Sequence, residues 1–285
     1  MANQFSSFKA EDMLLAISNR VKNTVSKFEY VDSEGVRRCK KCNAKTIGKY
    51  PLRLKTGKEI MVWARCVCDC ISLVEEKEQL ARQASLIQIN QNKAFEGFGV
   101  KYKKCTFATD DKKNMAFTKI MHAYVKNFDK YYADGLGLIL YGSTGTGKTY
   151  AAAVMVNEIL RKENPKTDKL YSCFITKCET IKQNILARHN DAEVFGKLAS
   201  VDLLVLDDFG TQNDTNFMME LMQKIVDARY NNCKPTIITT NIDLTTKRNE
   251  GNQMQILAYQ RIQSRLCEMC KIVKCGGKDR RVASK

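Results

Sequence analysis

The sequence contains no apolar run approaching the length of a membrane span, and its first residues, MANQFSSFKAEDMLL, lack a basic segment followed by an apolar stretch. A membrane-spanning chain and a secretory leader are therefore not expected, and a cytoplasmic location is. Internal repeats and low-complexity tracts are also missing, which argues against repeat architectures. Acidic residues are scarce where it matters most: between Val36 and Arg65 the only acid is Glu59, against ten cations, Arg37, Arg38, Lys40, Lys41, Lys45, Lys49, Arg53, Lys55, Lys58 and Arg65.

The whole chain of 285 residues carries a formal charge of +16, and a second basic group, Lys271 to Lys285, closes it. Such a balance favours a polyanionic partner, because neutralising phosphates releases counterions whatever the base sequence. Nucleic acid leads, with generic solubilising charge as the plain alternative. The twelve cysteines are not expected to form a disulfide framework in a reducing compartment, so they divide into small buried apolar residues and metal ligands.

The length allows two domains, and the patterning divides the chain into residues 1–70, a helical linker at 71–94 and a larger region at 95–285. Met13, Leu14, Ile17, Val21 and Val25 have helical spacing within an amphipathic segment from Phe8 to Phe28. A turn-rich, cysteine-bearing stretch runs from Val31 to Cys70, and ISLVEEKEQLARQASLIQINQNKAF then reads as a charged helix. Beyond it, the strand candidates LGLILYG, LYSCFIT, VDLLVLDD and PTIITTN alternate with helical stretches near Asn114–Tyr132, Tyr150–Lys162, Cys178–His189 and Thr215–Asn231. That alternation predicts an α/β fold, a parallel sheet covered by helices.

Gly142-Ser143-Thr144-Gly145-Thr146-Gly147-Lys148-Thr149 fits G-x-x-x-x-G-K-[ST] between a strand and a helix. Its glycines let backbone amides turn inward around phosphates, Lys148 should reach the β and γ phosphates, and Thr149 should hold Mg²⁺. The following helix N-terminus adds its positive dipole end. Nucleotide binding, with ATP and Mg²⁺ as cofactors, is the firmest expectation. LLVLDD ends a buried strand in Asp207 and Asp208. After a phosphate loop the first suits Mg²⁺ and the second suits orienting or deprotonating an attacking water. Asn241 closes the next strand candidate and could also position that water. Arg261 and Arg265 lie four apart on one helix face, and Arg280 and Arg281 follow. On spacing alone each of these arginines reads as a surface ion-pair residue.

Taken together, GVKYKKCTF, LILYGSTGTGKTYAA, VDLLVLDDFG, DARYNNCKPTIITTN and RIQSRLCEMC resemble the AAA+ ATPases of the DnaC/DnaI helicase-loader and IstB group, over Phe95 to Lys285. The resemblance implies an AAA+ P-loop NTPase in which Asn241 is the sensor 1 residue and Arg265 the arginine finger. It further implies that Arg280 or Arg281 is the sensor 2 arginine, the register after Gly276-Gly277 being open. A finger of this kind acts on a neighbour's nucleotide, so self-assembly into a spiral or ring is implied.

Cys39-x-x-Cys42 and Cys66-x-Cys68-x-Cys70 form a second constellation, with the spacing of a tetrahedral Zn²⁺ site. Five cysteines for four ligand places leave one spare, and spacing does not say which. Cys105, Cys173, Cys178 and Cys233 read as isolated and buried, and Cys267-x-x-Cys270 as packed within a helix. A cysteine-rich module before an AAA+ domain resembles the helicase-binding part of DnaI-type and phage loaders. The function this implies is ATP-dependent loading of a replicative hexameric helicase onto single-stranded DNA. Two alternatives stand beside it: an IstB-like ATPase assisting a transposase, and a nucleotide-switched adaptor with little hydrolysis.

Overall fold

The computed structural model describes residues 2–66, 68–111, 114–188, 191–210, 216–244, 253–277 and 279–280. Arg281 lies outside them, as do His189 and Thr215, the expected ends of two helices. The chain forms two compact units, Met1–Ser85 and Leu86–Lys285. No helix is long and apolar enough to cross a membrane.

The first unit opens with helix α1 (Ala2–Asn23), followed by the antiparallel pair β1 (Glu29–Val31) and β2 (Arg37–Cys39) and the hairpin β3 (Ile47–Arg53) and β4 (Glu59–Arg65). Helix α2 (Asp69–Ala94) begins in this unit and continues past its boundary. The sequence predicts that α1 continues to Phe28, but it stops at Asn23 for a specific reason. The Arg37 guanidinium, 4% exposed, takes the carbonyls of Val21 (3.1 Å), Thr24 (2.7 Å) and Lys22, so these oxygens are withdrawn from further helix hydrogen bonding. Arg37 is thus a buried cap and has to be struck from the exposed basic stretch. The buried apolar side chains of this unit, among the described residues, are Cys39, Ile47, Ile60 and Ile71, beside buried Ser18, Glu29, Arg37 and Thr46.

The second unit carries α3 (Met115–Lys126), α4 (Phe128–Ala133), β5 (Gly137–Tyr141), α5 (Lys148–Ile159), the two-residue strands β6 (Glu163–Asn164) and β7 (Lys169–Leu170), and β8 (Cys173–Lys177). It continues with α6 (Cys178–Arg188), α7 (Asp191–Ser200), β9 (Leu203–Asp207), α8 (Asn216–Asn231), β10 (Thr236–Thr240), α9 (Gln253–Met269) and β11 (Cys270–Lys274). The helix expected over Asn114–Tyr132 is broken at Asn127, whose backbone leaves helical geometry between α3 and α4. The five principal strands form one parallel sheet in the order β11-β5-β10-β9-β8.

Alternation along each strand sends side chains to opposite layers. Leu138, Leu140, Leu203, Val205 and Ile237 join a core with α3, α4 and α5, while Ile139, Leu204, Leu206 and Ile238 join one with α6, α7, α8 and α9. This is why the strands read as continuous apolar runs. The sequence does not announce strand β11. Its KIVK core is short and bounded by cysteines, so the helical pattern of Cys267 runs on through Cys270; in the structure Cys267 is on α9 and Cys270 on β11.

Helices α7 and α8 are tied to the starts of β9 and β10 by Arg229, which is fully buried on α8. Its guanidinium donates to Thr236 Oγ1 (2.8 Å) and to the carbonyls of Leu198 (2.8 Å), Val201 (3.0 Å) and Pro235 (2.7 Å). Burial lowers its pKa to about 10, so the charge persists at neutral pH. Arg229→Ala is expected to strip those carbonyls of their donor and destabilise the second unit by about 3 kcal/mol or more in denaturant unfolding.

Candidate functional site

Strand β5 delivers the phosphate loop between its two parallel neighbours, β10 and β11. The loop can form only without side chains at its turning points. Gly142, Gly145 and Gly147 have φ of 147°, 79° and 94°, the region that disfavours other residues. A Cβ at Gly142 would stand 2.3 Å from the Cys275 carbonyl oxygen, and one at Gly145 would stand 2.0 Å from a carboxylate oxygen of Asp279. The space over Gly145 thus already receives an anion from the end of the chain, and the Arg280 N–H donates to the Gly145 carbonyl at 3.0 Å.

Lys148 is 7% exposed, and its ammonium donates to the carbonyls of Gly142 and Ser143 and to Asn241 Oδ1, each at 2.8 Å. Asn241, at the end of β10, therefore meets the loop lysine directly. Thr146 donates to the Ser143 carbonyl (2.9 Å) and braces the loop from behind. A cavity of 580 Å³ is lined by Thr144, Gly145, Gly147, Lys148, Thr149, Asp208, Asn241 and Arg280. Gly142, Ser143 and Thr146 form the back of the loop and do not face it.

The two carboxylates take different places. Asp207 is buried and accepts hydrogen bonds from the Thr239 hydroxyl (2.6 Å) and the Thr149 hydroxyl. Burial, with the nearby Asp208 charge adding to it, raises the Asp207 carboxyl above its usual range against the pull of those hydroxyls. A buried anion held in this way beside Thr149 fits a divalent cation. Asp208 lines the cavity with φ 57°, a left-handed conformation that a non-glycine residue holds only under constraint. The constraint is visible: the Asp208 N–H donates to Thr239 Oγ1 (3.0 Å), the Phe209 N–H to the Thr239 carbonyl (2.8 Å), and Thr240 Oγ1 to the Phe209 carbonyl (2.7 Å).

Thr239 therefore positions both acids, a role that the β-branched run IITT does not reveal by itself. Lys101, Tyr102, Thr109, Asp110, Asp111 and Tyr150 also line the cavity. GVKYKKCTF carries no site residue that its sequence reveals, yet Lys101 and Tyr102 of it line the cavity. The Arg280 guanidinium pairs with two of the lining residues, 2.9 Å from Asp111 and 3.7 Å from Asp110. Arg265 is not at this cavity; it lies on α9, 3.1 Å from Asp227 of α8. Arg261 is exposed on the same helix.

In the first unit, the Sγ atoms of Cys39, Cys42, Cys68 and Cys70 lie within 4.8 Å of one another. The fifth cysteine, Cys66, is turned away and sits 2.6 Å from the Tyr50 hydroxyl. The Cys42 N–H and then the Lys41 N–H (3.4 Å) point at Cys39, and these lower its thiol to about 7. Such N–H groups favour thiolate, the ligand form. Four thiols at this separation suit tetrahedral Zn²⁺, whose sulfur ligands stand about 2.3 Å from the metal. Elsewhere Cys105, Cys173 and Cys178 are buried as expected, whereas Cys233 is exposed, because it occupies a positive-φ turn just before β10.

Comparison with known proteins agrees with this geometry. The replicative helicase loader DnaC of Escherichia coli (strain K12) is 24% identical over 219 residues, covering 74% of this chain and 81% of that protein. The replicative helicase loader DnaI of Bacillus subtilis (strain 168) is 25% identical over 171 residues, covering 56% of this chain and 53% of that protein. A crystal structure of DnaI superposes with a TM-score of 0.52 at 23% identity, covering 63% of this chain and 92% of that one. The second unit has the expected α/β architecture of an AAA+ P-loop NTPase. The family model described as IstB-like ATP binding protein matches residues 73–285. Because that match takes in the whole parallel sheet and every residue of the phosphate loop, the chain belongs to the family of IstB-like ATP binding proteins.

Proposed function

We propose that this protein is an ATP-dependent loader of a replicative hexameric helicase onto single-stranded DNA. The observation that carries the reading is the convergence of Lys148, Thr149, Asp208 and Asn241 on one cavity, in a family whose similar members include proteins named replicative helicase loaders. Lys148 would exchange its loop carbonyls for the β and γ phosphates of ATP. Thr149 and Asp207 would hold Mg²⁺, which supplies charge neutralisation on the phosphates. Asp208 would orient or deprotonate the attacking water, Asn241 would report on the γ phosphate, and Arg280 would leave Asp111 for it.

Lys148→Ala should abolish ATP binding in calorimetry, since it removes a phosphate contact and no core volume. Asp208→Asn should still bind ATP while turnover falls by about 10²-fold. If wild-type turnover is already negligible with helicase and single-stranded DNA present, the switch-like adaptor is the better reading.

Arg265 serves a neighbouring subunit in this scheme, exchanging Asp227 for that subunit's nucleotide. ATPase activity per subunit should then rise with protein concentration or with helicase present, and Arg265→Ala should remove the rise. Activity that is independent of concentration in dilute, monomeric protein would count against a site completed in trans.

The four-thiol cluster favours the loader over the transposase helper, because it builds a separate module suited to a protein partner. We assign Zn²⁺ to Cys39, Cys42, Cys68 and Cys70, with Cys66 outside the site. A unit with so little buried apolar surface needs such a staple. Elemental analysis should show about one zinc per chain. Cys42→Ser should lose the metal and the helicase while keeping ATP binding, whereas Cys66→Ser should keep all three.

A further inference from the structure

After β11 the chain does not leave the nucleotide cavity but is fixed against its loop. The Cys275 N–H donates to the Tyr141 carbonyl (2.7 Å), the Asn114 side-chain amide to the Gly276 carbonyl (3.1 Å), and the Arg280 N–H to the Gly145 carbonyl (3.0 Å). These contacts set two neighbouring side chains of opposite charge on two successive glycines of the loop. The Asp279 carboxylate stands over Gly145, where any Cβ would collide with it. The Arg280 guanidinium stands over Gly147, its carbon 3.3 Å from where a Cβ would be, at the N-terminus of α5.

The two charges are not equivalent. Arg280 lines the cavity and suits the nucleotide phosphates once it leaves Asp111 and Asp110. Asp279 is half-buried and lies against Gly145, a lining residue, without lining the cavity itself. Its carboxylate therefore takes no phosphate space, but it puts a negative charge beside the loop that has to receive a negatively charged phosphate tail. The loop amides, the α5 N-terminus and Lys148 all attract an anion. Asp279 opposes them at the same place, and partial burial leaves its charge less screened than that of an exposed acid.

We infer that Asp279 is a built-in brake on nucleotide binding, an acid held beside the phosphate loop so that the phosphate tail is bound less tightly and released sooner. The inference rests on the nucleotide-site reading above and adds to it a residue that works against affinity. A purely bracing role, in which Asp279 only holds the chain end in place, predicts the opposite: removing it would loosen the segment that presents Arg280 and weaken nucleotide binding.

Calorimetric titration of the full-length protein with Mg-ADP and Mg-ATP tests this on Asp279→Asn, which keeps the shape and removes the charge, and on Asp279→Ala. Both variants should bind both nucleotides about tenfold more tightly at low salt, as expected for one repulsive charge removed within several ångströms at a partly solvated site. The gain should shrink as salt is raised. Adenosine, measured by competition, carries no phosphate and should be bound no better than by the wild type. Release of a fluorescent ADP analogue in stopped flow should slow in step with the gain in affinity. Three results overturn the inference: unchanged or weaker binding in both variants, a gain confined to Asp279→Ala, or an equal gain for adenosine. Weaker binding together with a lowered unfolding temperature would establish the bracing role instead. If the wild type binds nucleotide and the variants do not improve on it, the brake alone falls; if none of the three proteins binds nucleotide, the site reading falls and the brake with it.

Discussion

The nucleotide site depends on one constraint: at the C-terminal end of β5, backbone has to approach backbone with nothing in between. Gly142 meets the Cys275 carbonyl there, and this contact exists because β11 runs parallel to β5 and leaves the sheet at the same edge. In a parallel sheet every strand ends on that edge, so residues far apart in sequence arrive together. Asp208 comes after β9, Asn241 after β10 and Arg280 after β11, all at the mouth of the loop that follows β5. Substituting Gly142 would thus disturb the loop and the chain end that supplies Arg280 at the same time.

What was legible in the sequence is what depends on local chemistry. The phosphate loop announces itself because its glycines and lysine must sit at fixed offsets, and the paired carboxylates because they interrupt an apolar run. The residues that hold those groups in place were not legible, because their work is done across strands. Thr239 fixes both carboxylates from β10, yet in sequence it is one β-branched residue among several. The spare cysteine was likewise undecidable from spacing, since Cys66, Cys68 and Cys70 are equally close to a fourth place. Folding decides it by turning Cys66 toward Tyr50.

Charge counting was the least faithful guide. The sequence presents ten cations between Val36 and Arg65 as one basic stretch. The fold sorts them: Arg37 is buried on carbonyls at the end of α1, Arg38, Lys58 and Arg65 are paired with acids, Lys40 donates to the Lys27 carbonyl, and Lys41, Lys45, Lys49, Arg53 and Lys55 have no acid partner among the described residues. Arg229 is the same lesson in the second unit. In sequence it stands inside the motif stretch DARYNNCKPTIITTN, and its physical role is to satisfy the carbonyls between α7 and β9 and before β10. A guanidinium can be retained because it reaches several carbonyls at once, and lysine could not replace it.

The two units are stabilised by different means, which bears on how they can change. The second buries apolar side chains on both faces of a five-stranded sheet, so a single surface substitution removes little of its stability. The first buries few, and its interior holds Glu29 and Arg37, 3.9 Å apart, beside Ser18 and Thr46. A buried pair of this kind gives geometry more readily than net stability. On the proposed zinc assignment the four converging thiols would supply several kcal/mol of its folding energy through the metal. A unit held that way would leave its hairpin long, exposed and charged, because the hairpin's own packing would not be what keeps it folded.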